Sequence, residues 1–347
     1  MAGALGYHAG VTTRGGDRSW PEDGTRVLGR TGLAVSPIGL GLAALGRPAY
    51  ITTGRGEELG QDRSVDAMRR RTHEVLDTAY AAGVRYFDAA RSYGRAEEFL
   101  ASWLEERGIG PGEVSVGSKW GYEYTGGWRM DADKHEVKDL GVGTLRRQLE
   151  ETHTLLGRHL GLYQIHSATL ESGVLEDRAV LGELRDLKET GVAVGLSVTG
   201  PRQAETIERA VETGTFDCVQ ATWNLFERSA EDALARAHDE AGMGVIVKEA
   251  LANGRLVRAD QSEDERVRPL LETAHERGQT PDALAISAAL HQPWADIVLS
   301  GAATVGALKS NLSALGADYD GELDRRLLPL RAESDRYWSK RSSLPWT

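Results

Sequence analysis

Cysteine is nearly missing: the 347-residue chain holds one, Cys218. One thiol cannot form an intramolecular disulfide and suits a reducing compartment, so a cytoplasmic location is expected. Cys218 lies in the apolar stretch FDCVQA and reads as a core residue, because reactive thiols need an exposed, electropositive setting. Long hydrophobic runs are also absent. None approaches the ~20 residues of a membrane-spanning helix. Residues 1–25, rich in Gly, Thr and Asp, lack the basic start and apolar core of a signal peptide and are expected to be a mobile tail. Positive charge is in deficit: 41 Lys and Arg against 52 Asp and Glu leave a net charge of −11. That balance argues against nucleic acid or an anionic membrane as partner. Metal and hydrolase signatures are missing too. His135 opens HEVKD, which has no second histidine at position 139, so the zinc pattern H-E-x-x-H fails and no metal is expected. Ser197 sits in GLSVTG, outside any G-x-S-x-G elbow.

What is present is an alternation. Apolar runs at 37–42, 84–88, 114–119, 162–166, 192–197, 216–221, 245–249 and 296–301 read as strands. Between them lie amphipathic stretches that end in glycine, such as DRAVLGELRDLKETG and PRQAETIERAVETG. Strand–helix alternation implies right-handed crossovers and a parallel sheet. Eight such units over one chain predict an α/β fold, a closed (β/α)8 TIM barrel. The rival, an open doubly wound sheet, usually carries G-x-G-x-x-G after its first strand. In GLGLAALG the third glycine, Gly46, comes too late for that pattern. Arg26–Leu28 and Leu33–Val35 predict a hairpin before the barrel. The expected organisation is a single domain: a tail over 1–25, the barrel over 26–320, and a C-terminal helix and tail over 321–347 packed on it.

Barrel chemistry sits at the C-terminal strand ends. The second predicted strand ends in Asp88, with Tyr93 in the loop beyond; the third ends in Lys119 and the fourth in His166. Asp88 alone would be read as a helix cap, Tyr93 as a loop aromatic, Lys119 as a solvated charge and His166 as a core histidine. Their coincidence at one rim favours a site. An ammonium beside a phenol favours the phenolate and lowers its pKa. A carboxylate holds the ammonium, and a histidine orients a substrate oxygen. Such a set gives a proton to an oxygen becoming an alkoxide. The complementary hydride needs a nicotinamide.

With Asp88-x4-Tyr93, the Lys119 that ends GSK, His166 in YQIH, and the segments LGRTGLAVSPIGLG and VQATWNLFER, the chain resembles the aldo-keto reductase family over residues 26–316. The resemblance implies an NAD(P)H-dependent reductase of aldehydes or ketones, reversible as an alcohol, sugar or lactol dehydrogenase. Tyr93 would be the general acid/base, tuned by Asp88 and Lys119, with His166 on the carbonyl. Trp223 would stack on the nicotinamide, and Ser197 and Gln220 would hold its carboxamide. Val198 stands where the family usually has Asn. Lys248-Glu249-Ala250-Leu251 replaces a Tyr-Ser-Pro-Leu signature, while Leu251 and Gly254 fit. Lys248 or Arg255 would offset Glu249 near the pyrophosphate. Gly301, Ala302, Thr304 and Asn311 would form the phosphate-binding turn. Ala303 and Thr304 replace the basic residues that usually grip a 2′-phosphate, so NADP(H) is expected over NAD(H) by a narrow margin only. The alternative is a nicotinamide-binding regulatory or redox-sensing protein with little turnover.

The loop after the third strand carries Trp120, Tyr122, Tyr124 and Trp128, expected as a substrate wall with packing as the competing reading. Loop 46–66 and the tail bearing Trp338 and Trp346 are expected to close the pocket. Arg91, Arg129 and Lys134 are read as exposed loop charges. The expected partner is a small carbonyl or alcohol, with the protein a monomer or small homo-oligomer.

Overall fold

A computed structural model describes residues 24–52, 59–257 and 265–347; the predicted tail, apart from its last two residues, lies outside them. Eight parallel strands close into a barrel. They are β1 (Ile38–Gly41), β2 (Tyr86–Asp88), β3 (Ser115–Trp120), β4 (Leu160–Ala168), β5 (Ala193–Val198), β6 (Cys218–Thr222), β7 (Gly244–Lys248) and β8 (Ile297–Ser300). Every expected strand is present, shifted by up to two residues at its ends. The helices are α1 (Val65–Ala81), α2 (Ala96–Arg107), α3 (Val142–Leu156), α4 (Arg178–Glu189), α5 (Gln203–Thr213), α6 (Glu231–Asp239), α7 (Arg268–Glu276), α8 (Pro281–Leu290), α9 (Val305–Leu312), α10 (Gly321–Leu327) and α11 (Ser334–Ser342). Local chemistry sets several starts. Ser64, Asp177, Thr280 and Thr304 each accept N–H bonds from the first turn of the helix that follows. None of the described helices is long and apolar enough to cross a membrane.

Two departures concern the edges. The C-terminal stretch is two helices, α10 and α11, separated by a short 3-10 turn at Leu328–Leu330. Pro329 is accepted at the start of that turn, where no N–H is needed. The loop after β3 contains an antiparallel hairpin, Tyr122–Tyr124 against Glu136–Lys138.

Side chains alternate faces along a strand. Leu28 and Val35 from the N-terminal hairpin plug the barrel floor against Tyr86, Leu162, Cys218, Ile246 and Ile297. Burial pushes the Cys218 thiol far up, as an inert core cysteine requires. One layer higher, the same parity brings Asp88, Lys119, His166, Ser197, Gln220 and Lys248 to the rim. The outward faces pack under the helices in a separate, larger core.

Glycine makes room at two decisive points. A Cβ on Gly117 would lie 2.3 Å from the Tyr86 hydroxyl. A Cβ on Gly46 would lie 2.2 Å from the Tyr93 carbonyl oxygen and 2.5 Å from Ala96 Cβ. The loop after β1 thus packs backbone to backbone on the Tyr93 loop, where Arg95 N–H donates to Gly46 O at 2.7 Å. Gly46→Ala is expected to lower unfolding free energy by about 1–3 kcal/mol, the cost of overpacking a tight contact. Urea denaturation checks this; an unchanged midpoint would refute the backbone clash.

Candidate active site

The buried ammonium of Lys119 is ion-paired with Asp88 and donates to Ala89 O at 2.9 Å. Asp88 also accepts from Gln220 Nε2 at 3.1 Å and from the Tyr86 hydroxyl at 3.2 Å. The Tyr93 ring lies beside this pair, its centroid 4.9 Å from Lys119 Nζ. The His166 imidazole also meets the Tyr93 ring edge-on, with centroids 5.4 Å apart. The structure therefore brings together the four residues expected at the rim.

Their electrostatics differ from expectation in one respect. Lys119 was expected to draw the Tyr93 pKa down. Instead, burial and the Asp88 charge hold the phenol well above its ordinary value, with Arg47 opposing. His166 is pushed the other way: burial, then the charges of Lys119 and Arg47, hold its pKa well below the usual histidine range. At neutral pH the site presents a protonated phenol and a neutral imidazole.

Asp88, Tyr93 and His166 open into a cavity of about 620 Å³. It runs along the ends of β5 to β8 to the start of α9 and is lined there by Ser197, Gln220, Lys248, Leu251, Gly254, Gly301, Ala302, Thr304 and Asn311. The turn fits a phosphate: a Cβ at Gly301 or Gly306 would meet open space, and the first turn of α9 offers N–H groups that no helical carbonyl takes. Lys309 is exposed and does not line the cavity.

Several expected contacts are elsewhere. Trp223 is fully buried and turned outward, edge-on to Trp294 at 6.1 Å, with its N–H on Glu231. It follows inward-facing Thr222 by one residue and so takes the opposite face; it cannot stack on a ligand in the cavity. Trp120 fails for the same reason, following Lys119, and is buried. Trp128 packs edge-on to Phe99 and donates to Arg63 O at 2.8 Å. Tyr122 does not line the cavity but backs His166, ring centroids 5.0 Å apart. Arg255 lies over the Tyr337 ring, not at the cavity wall. Arg91 is tied to Glu97 and Glu151.

The walls that close the mouth come instead from Arg47, Tyr50, Glu136 and Trp346. Arg47 donates to Ser92 O at 3.0 Å and Glu136 at 2.8 Å, and lies 4.8 Å from the Trp346 ring centroid. Trp346 stacks on His135 at 4.3 Å, and Tyr50 and Thr347 exchange backbone hydrogen bonds of 3.0 Å. The tail walls the pocket through Trp346 and not through Trp338, which is packed on Tyr337; of the expected loop 46–66, residues 47 and 50–52 join it, and 53–58 lie outside the described residues.

The sequence profile of the Aldo/keto reductase family matches residues 37–322. The chain belongs to the aldo-keto reductase family. It is accordingly an NAD(P)-dependent oxidoreductase. It is 24% identical to the uncharacterized oxidoreductase YqkF of Bacillus subtilis, over 91% of this chain and 99% of that protein. It is also 24% identical to pyridoxal 4-dehydrogenase of Microbacterium luteolum, over 67% and 71% respectively. Among solved structures, an aldo-keto reductase of Bacillus halodurans in its holo form superposes with a TM-score of 0.68 at 21% identity, covering 89% of this chain and 96% of that one. A glycerol dehydrogenase of Gluconobacter oxydans gives a TM-score of 0.67 at 22% identity, covering 89% and 95%.

In this aldo-keto reductase the segment after β7 is held in an unusual way. Glu249, Ala252 and Asn253 all have positive φ, at 56°, 50° and 58°. The Glu249 carboxylate receives the Arg341 guanidinium from α11, with Nε at 3.0 and 3.1 Å from its two oxygens. Burial alone would raise its pKa, but Arg341, Lys248 and hydrogen bonds outweigh burial and hold it at about 2. Arg341, which nothing in the sequence marked, thus supplies most of the offset, with the expected Lys248 adding to it and Arg255 not among its main sources. A carboxyl with a depressed folded pKa stabilises fully above its unfolded value, near 4.5, and loses that contribution as pH falls through about 2. Arg341→Met is expected to cost about 3 kcal/mol at pH 7, by stranding the carboxylate. It should also flatten the acid decline of stability between those pH values. Chemical denaturation at pH 7 and pH 3 checks both; equal losses at the two pH values would refute the linkage.

Proposed function

We propose that the protein reduces a small polar aldehyde or ketone to its alcohol with hydride from NAD(P)H, and that Tyr93 is the proton donor. The observation that carries this reading is the Tyr93 ring, in contact with both Lys119 and His166 at the end of a cavity that continues to the α9 N-terminus. The bound cofactor supplies the hydride. The chain's own residues manage the oxygen and the proton. A neutral imidazole at His166 can hydrogen-bond the carbonyl oxygen without competing as an acid. The raised Tyr93 pKa keeps the phenol protonated in the free site, so it is ready to donate as the oxygen gains alkoxide character. Lys119 then lies close enough to stabilise the phenolate left behind, with Asp88 balancing its charge. Ser197 and Gln220 are the residues proposed to hold the carboxamide, and the turn at Gly301–Thr304 the phosphates.

For the dinucleotide, NAD(H) is the better fit, against the narrow expectation of NADP(H). Among the described residues, the cavity lining near α9 is Ala302, Ala303, Thr304, Ala307, Ser310 and Asn311, with one charged group, the Asp282 carboxylate. With the Asn311 amide oxygen toward Ser300 Oγ, its nitrogen donates to Asp282 at 2.8 Å. A carboxylate there opposes a 2′-phosphate. At the substrate end, Arg47, Glu136 and Tyr50 suit a hydroxylated compound. The names of relatives, among them pyridoxal 4-dehydrogenase and D-threo-aldose 1-dehydrogenase, support that class. We place the protein in the cytoplasm, with residues 26–320 as the catalytic unit and 321–347 completing its cavity.

Tyr93→Phe is expected to lower kcat for a reactive aldehyde about 10²- to 10⁴-fold while NADH still quenches tryptophan fluorescence. Turnover that survives the substitution would reject Tyr93 as the donor. Tighter binding of NADPH than of NADH would reject the cofactor assignment.

A further inference from the structure

The cavity holds a cation that the chemistry above does not use. Lys248 ends β7 and lines the cavity. Its Nζ donates to the neutral hydroxyl of Thr222 on β6 at 2.8 Å and makes no ion pair among the described residues. The nearest carboxylate in sequence, Glu249, is occupied by Arg341. A ligand with phosphates at α9 and a reactive ring at Tyr93 and His166 must lay that ring against the ends of β5, β6 and β7. Ser197, Gln220 and Lys248 stand there.

We propose that Lys248 makes the cavity discriminate between the two redox forms of the nicotinamide, binding the neutral reduced ring more tightly than the cationic oxidised ring. This rests on the nicotinamide reading above. The physical basis is like-charge repulsion in a partly enclosed site, where it is screened less than in water. Oxidised cofactor is then the faster-leaving product of carbonyl reduction. By linkage, a bound reduced cofactor is held against oxidation more firmly than in solution. Other charges facing Lys248 are Arg341 on α11 and Asp88 and Lys119 on β2 and β3; His166 on β4 faces it as a neutral titratable group. Burial draws Lys248 down to about 8, opposed by the Glu249 and Asp88 charges and aided by Arg341 and Lys119. The discrimination therefore fades as pH rises above that value.

The test is calorimetric titration of wild type, Lys248→Met and Lys248→Arg with NADH, NAD⁺, NADPH and NADP⁺ at pH 7. In Lys248→Met the ratio of oxidised to reduced Kd is expected to fall roughly tenfold, through tighter oxidised binding, the size of a partly screened charge contact. Lys248→Arg should keep the wild-type ratio. At pH 9.5 the wild-type ratio should approach that of Lys248→Met. A Lys248→Met protein that binds both forms at the wild-type ratio overturns the proposal and leaves the proposed function standing. Wild type that binds no nicotinamide form removes both. Should Lys248→Met lose all binding, the wild-type pH series decides: a ratio constant from pH 7 to 9.5 overturns the proposal.

Discussion

The ion pair between Lys119 and Asp88 is the constraint around which the barrel rim is organised. Burying two charges costs several kcal/mol per ion unless their remaining hydrogen-bonding capacity is met. Here it is met by barrel residues alone: Ala89 O for the ammonium, Gln220 and Tyr86 for the carboxylate. Tyr86 opens β2, Ala89 follows its last residue, and Gln220 lies on β6 across the barrel. The pair therefore fixes how strands on opposite sides of the barrel sit relative to one another. Tyr86 can reach Asp88 only because Gly117 leaves space for its hydroxyl. Tyr93 takes its place against the resulting platform.

Charge above that platform is arranged so that most cations face a carboxylate. Arg47 has Glu136, Lys119 has Asp88 and Arg341 has Glu249. Lys248 departs from the pattern, with a hydroxyl for a partner. Tyr93 is a protonated phenol in the free site because burial, and after it the Asp88 charge, disfavour the phenolate.

Much of this was readable in the residue order. The eight strands were legible because buried parallel strands are near-continuous apolar runs, and strand-end polar residues such as Asp88, Lys119 and His166 interrupt those runs visibly. Face parity was legible as well and would have excluded Trp120 and Trp223, each one residue beyond an inward-facing neighbour. What stayed hidden depends on contacts between segments remote in sequence. Arg341 reads as one of several basic residues in a polar helix until α11 is laid across β7. Arg47 looks like a loop charge until Glu136 and Trp346 surround it. The pKa of Tyr93 also could not be read from spacing, because it depends on depth of burial and on charges brought near it by remote segments, such as Arg47 and Glu136.

The hydroxyl of Thr347 donates to the carbonyl of Thr52 at 2.8 Å, across a sequence separation of 295 residues. Closing the barrel already brings these distant segments together, so the clasp has only its own short stretches of chain left to order, and only a few hydrogen bonds and one stacked indole to do it with. Contacts of such high order form after the barrel that positions them, and they are the natural first to open under native conditions. A clasp held by so few contacts can open while the strands beneath remain intact, which gives a ligand a way in and out that leaves the barrel closed.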